Sequence, residues 1–121
     1  MEKNYTIDII DGVTTIRYAE KPSMRDIQAA IDDAARINQR GKRLWNFSKG
    51  GLNLTSTQIQ GLADYAKTKF SPPSRVAIVA SEDLAFGLSR MYEAFRAQQN
   101  VDIEIFRTEE DAHKWFKKDR V

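Results

Sequence analysis

Five consecutive apolar positions, Val76 to Ala80, interrupt a chain in which apolar and polar residues otherwise mix closely. A run of that length predicts a strand over Arg75–Ala80 that is buried on both faces, in the middle of a sheet. Ser81 then precedes Glu82 and Asp83, which predicts a helix capped by the serine hydroxyl with acid side chains answering its dipole. Leu84, Leu88, Met91 and Phe95 follow at helical spacing as the stripe expected to face the sheet. Phe86 lies about 160 to 200° from that stripe and is expected to be exposed, with Arg90 one turn on, placed to stack as a cation or to meet an anionic headgroup.

The rest of the pattern extends this unit. Asp11-Gly12 predicts a type I′ hairpin turn, and pairing Ile10 with Val13 puts Tyr5, Ile7 and Ile9 opposite Tyr18, Ile16 and Thr14 on one face. Thr6, Asp8, Thr15 and Arg17 then share the other. Ser23 is placed to cap a helix with Met24, Ile27, Ile31, Ala34, Ala35 and Asn38 as its inner stripe, Asp32 pairing with Arg36, and Gly41 at its end. Arg43–Phe47 predicts a second inner strand, in which the Asn46 amide needs a partner. A loop from Ser48 to Leu54 leads to Thr55 and Gln58, spaced as a capping box. The helix after it has Ile59, Leu62, Ala63, Ala66 and Phe70 inside and stops before Pro72-Pro73. Gln99-Asn100 closes the third helix. Val101, Ile103 and Ile105 alternate with Asp102 and Glu104 as an edge strand, and Thr108–Asp111 opens a last helix with Ala112, Trp115 and Phe116 inside.

This order predicts a single α/β domain over residues 1–121: an N-terminal β-hairpin, then parallel strands in a mixed five-stranded sheet with four α-helices. A ligand is expected outside the carboxyl ends of the parallel strands, near 48–57 and 81–86.

Composition removes several chemistries. The 121 residues include no cysteine and one histidine, His113, so thiolate chemistry and the usual zinc ligand sets are excluded. No metal and no cofactor is expected. Nineteen basic and seventeen acidic residues are mixed along the chain for a net charge of +2, which does not describe a nucleic-acid binder. The basic groups at 40–43 and 117–120 fall at helix ends, where cations answer the dipole. With no apolar leader and no run of membrane-spanning length, a cytoplasmic protein is expected. No nucleophile elbow or paired-carboxylate spacing is present, so no catalytic residue is assigned and a non-enzymatic domain is expected. Gly50-Gly51, with Lys49 beside it, precedes a capped helix as a phosphate loop does, but it lacks the Gly-Lys-Ser/Thr ending and reads more plainly as a connection.

Val76–Ala80, Leu84-Ala-Phe-Gly-Leu-Ser-Arg-Met-Tyr92 and Ile105-Phe-Arg-Thr-Glu-Glu-Asp-Ala112 with Trp115, in this order of elements, resemble the bacterial SpoIIAA-like family. The resemblance implies a STAS-type domain, similar to the CRAL-TRIO lipid-binding fold. It also implies binding of a small apolar or lipid-like ligand, association with a membrane surface, or a homodimer. Leu52, Leu54 and Phe86 are the expected apolar lining, with Asn46, Ser56 and Arg90 as polar anchors. Truncating Leu52 or Phe86 is then expected to cost less stability than truncating Leu88. The alternative is a regulatory protein of the anti-sigma antagonist kind, phosphorylated at Ser56 or Thr57, although the family's acidic residue and the glycine after its serine are absent here.

Overall fold

A computed structural model describes residues 3–118. The hairpin strands β1 (Tyr5–Ile10) and β2 (Val13–Tyr18) pair antiparallel in the expected register, Tyr5 opposite Tyr18 and Ile10 opposite Val13. Asp11 and Gly12 between them both have positive φ, 51° and 79°, as a type I′ turn requires. Then come α1 (Met24–Ile37), β3 (Gly41–Asn46), α2 (Ser56–Lys69), β4 (Ser74–Val79), α3 (Asp83–Arg96), β5 (Val101–Phe106) and α4 (Glu109–Lys118). β2 to β5 are parallel, and the sheet order is β1-β2-β3-β4-β5. The fold is therefore α/β with a mixed five-stranded sheet and four helices.

Strand alternation divides the core into two layers. Ile16, Trp45, Ile78 and Ile105 stand in register on one face and pack with α1, α2 and α3. Leu44, Ala77 and Val79 point to the opposite face, where Ala112 and Phe116 of α4 cover them. Both faces of β4 are thus buried, which is why its sequence lacks alternation. The sheet order never reverses along the chain, so there is no switch point at which crossovers diverge to open a crevice. The carboxyl-end rule thereby loses the geometry on which it depends.

Three helix starts follow their sequence signals. Ser23 and Asp26 form a reciprocal capping box at α1, Thr55 with Gln58 forms one at α2, and the Thr108 hydroxyl accepts from the Asp111 N–H at 3.2 Å at the start of α4. The start of α3 does not. Glu82, not Ser81, is the N-cap of α3 and makes no side-chain cap, because the Ser81 hydroxyl donates instead to the Ser48 carbonyl at 3.3 Å.

The buried side of α3 is also turned from the expected stripe, to Ala85, Leu88, Ser89 and Arg96, leaving Leu84 56% exposed. Small side chains at Ala85 and Ser89 let α3 lie close to its neighbours, and the long aliphatic stem of Arg96 allows its burial. α1 ends at Ile37 with Asn38 as cap, and Gly41 opens β3 at φ 103°. Arg36 pairs with Asp33, not Asp32; Asp32 instead accepts from the Tyr65 hydroxyl at 2.5 Å and meets Lys69 at 3.5 Å. That arrangement ties α1 to α2.

Candidate ligand-binding site

The loop between Phe47 and Thr55 carries its apolar side chains inward. Leu52 is 5% exposed within the main core, and Leu54 is half-buried against it. Beneath Leu52 lies an apolar cavity of about 40 Å³ between the sheet and α1–α3. Its wall comprises Ile27 and Ile31 of α1, Trp45 of β3, Phe47 and Leu52, Ile59 and Leu62 of α2, Ile78 of β4, and Ser89 and Tyr92 of α3. The Ser89 hydroxyl on that wall is buried and has no hydrogen-bond partner among the described residues. Such a group is costly unless something enters to satisfy it.

One layer behind this wall is a concentration of buried positive charge. Arg43, 1% exposed, lies with its guanidinium 3.7 Å from the Phe70 ring centroid, and its Nε and Nη1 find no acceptor among the described residues. Arg96, 2% exposed, donates to Gln98 at 2.7 Å. Burial pulls the Arg43 guanidinium down to about 10; Tyr92 opposes that and the like charge of Arg96 adds to it. Burial likewise raises the Tyr92 phenol, against the two arginines that lower it.

The remaining expected site residues do not converge on the cavity. Asn46 points to the opposite face of the sheet, where its amide donates to Glu109 at 2.5 Å and its carbonyl oxygen accepts from the Ser48 N–H at 2.8 Å. Phe86 is half-buried rather than exposed, packed against the core and covered by the Arg107 guanidinium at 4.1 Å from its centroid. Arg107 also donates to the Ser81 carbonyl and to Asp83. Arg90, which the spacing placed beside Phe86, is exposed and faces Glu93 at 3.7 Å. Ser56 and Thr57 are exposed on the first turn of α2, which holds no acidic residue. A carboxylate there is expected to stabilise the helix: Ser56→Asp should raise stability by a few tenths to about 1 kcal/mol in urea denaturation, and a loss would contradict this.

Gly50 and Gly51 are explained by close approach. A Cβ on Gly50 would overlap the Lys21 backbone nitrogen, with the Lys21 Cα at 2.8 Å, and Gly51 has φ 74° with its N–H already donated to the Phe47 carbonyl at 3.0 Å. The loop is seated on the segment before α1.

Glu109 is the residue that sequence spacing did not single out. It accepts from Arg17 through both carboxylate oxygens, at 2.7 and 3.0 Å, as well as from Asn46, and lies 3.8 Å from His113. Arg17 and Asn46 stand side by side in register, so the unmet need of the Asn46 amide was the available signal. This cluster borders an open cleft of about 370 Å³ that also touches Lys3, Ser48 and Lys49. Lys3 is already paired with Asp33 at 2.8 Å, as Arg17 is with Glu109.

The hydrogen bond from Arg17 holds the Glu109 carboxyl below its usual value of 4.5, with Asn46 adding to the effect and burial opposing it. A depressed folded-state value contributes stability that is present above pH 4.5 and lost as pH falls through the folded value. Glu109→Gln is therefore expected to cost about 1 to 2 kcal/mol at pH 7 and to flatten the acid limb of the stability curve. An unchanged acid limb would contradict it.

No family model, no curated protein and no solved structure matches this chain.

Proposed function

We propose that this chain is a non-enzymatic STAS-type domain that binds a small apolar ligand in the cavity beneath Leu52. The supporting observation is the cavity: an almost wholly apolar enclosure on which three helices, two strands and one loop converge. Its volume of about 40 Å³ is smaller than even a short branched chain, so such a ligand enters by displacing Leu52 and its loop. The homodimer and the membrane surface are supported by the family resemblance alone. No helix among the described residues is long and apolar enough to cross a membrane.

Ser89→Val fills the cavity with methyl groups while removing the unpartnered hydroxyl. It is expected to keep the fold and abolish binding of a neutral probe such as 3-methylbutan-1-ol in calorimetry. Binding that survives in a folded Ser89→Val protein would overturn the assignment.

The second reading is a phosphorylation-switched regulator acting through Ser56 or Thr57. It is supported by their exposure on an acid-free first turn, where a phosphate would meet free N–H groups. Phosphorylation of either residue by host extract and ATP would favour it.

A further inference from the structure

The cavity wall is apolar except where α3 crosses it, and there the polar groups are of one kind. Ser89 and Tyr92 line it, and the Ser89 hydroxyl has no partner among the described residues. Behind them stand two guanidiniums, Arg43 and Arg96, each at least 98% buried, with no carboxylate paired to either among the described residues. Arg43 and Arg96 are both close enough to Tyr92 to interact with it electrostatically. Arg43 also stacks on Phe70, whose ring meets the Trp45 ring of the wall at 6.3 Å between centroids.

A buried cation without a counter-charge is costly, and stacking on one aromatic ring offsets only part of that cost. The same cation becomes an asset if the ligand brings the missing negative charge, because attraction at short range is strong where water is excluded.

We propose that the ligand is a free monocarboxylic acid with a short apolar chain. Its carboxylate accepts hydrogen bonds from the Ser89 and Tyr92 hydroxyls within the field of Arg43 and Arg96, and its chain runs toward Ile59 and Leu52. This deepens the functional reading above and rests on it. No bond is made or broken; the step is binding alone.

Calorimetry on the full chain with 3-methylbutanoate, its methyl ester and 3-methylbutan-1-ol separates the possibilities. The acid is expected to bind at least tenfold more tightly than the ester or the alcohol. Arg43→Met removes the charge but keeps a long apolar stem, and replacing an unpaired buried charge in this way is tolerated. In that variant the acid is expected to lose at least tenfold in affinity while the alcohol is unchanged. Ser89→Ala gives a second variant with little risk to folding, expected to weaken the acid more than the alcohol.

Equal binding of acid, ester and alcohol, or acid binding unaffected by both substitutions, would overturn the acid assignment and leave the cavity assignment standing. An equal Tm shift from chloride or inorganic phosphate alone would also overturn it, since the chain would then contribute nothing. Binding of none of the three chain-bearing probes would overturn both.

Discussion

Trimming Leu52 to alanine is expected to destabilise the domain by about 2 to 5 kcal/mol, the range for emptying a buried leucine site. Loop position suggests a smaller loss, and less than for Leu88. Burial reverses that expectation: Leu52 is 5% exposed and Leu88 8%, and both belong to the main core. Leu52 also borders a cavity that exists already, so its removal enlarges an existing void and places the cost toward the upper part of the range. Urea denaturation of Leu52→Ala beside Leu88→Ala measures both. A cost below about 1 kcal/mol for Leu52 would show that the loop does not close the core as described.

Gly50→Ala is expected to be at least as severe. The added methyl would overlap backbone atoms of Glu20 and Lys21, which cannot rotate away as a side-chain tip does, so the loop must lift from the segment before α1. Lifting it carries Leu52 out of the core, and the expected loss is several kcal/mol, of the order of a large core truncation. Gly61→Ala supplies the contrast. Gly61 lies exposed inside α2 with no atom near its would-be Cβ, so alanine there is expected to stabilise by up to about 1 kcal/mol. Thermal denaturation of the two variants should move Tm in opposite directions. If Gly50→Ala were neutral, the glycine would be a plain connection after all.

Legibility of the fold followed the strength of the local rules. The Asp11-Gly12 turn, the Ser23 cap, the capping box at Thr55 and the Val76–Ala80 run each depend on neighbours in sequence, and the structure has each where the sequence places it. The rotation of α3 was hidden because Leu84 and Met91 outweigh Ala85 and Ser89 in hydrophobicity, whereas tight packing favours the smaller pair. Phe86 was misjudged for the same reason, and Arg107, 21 positions away in the chain, could not be identified by spacing as its cover.

The site was less legible still. Asn46 and Leu52 are six positions apart yet separated by the sheet, since Asn46 faces Glu109 and Leu52 faces the helical layer. Arg43 read as one of a basic cluster at a helix end. Strand alternation puts it on the same inner face as Trp45, so its burial follows from a register that only the assembled sheet defines.

The central claim is that the cavity under Leu52 is where a ligand binds. Methyl chemical shifts test it most directly, because Ile27, Ile31, Leu52, Ile59, Leu62 and Ile78 all place methyl groups on the wall. Titrating labelled protein with 3-methylbutanoate is expected to shift these six together with one saturation curve, while Ile9, Ile37 and Leu84 on the surface stay in place. Shifts confined to the surface methyls, or six wall methyls that do not move at saturating acid, would contradict the claim.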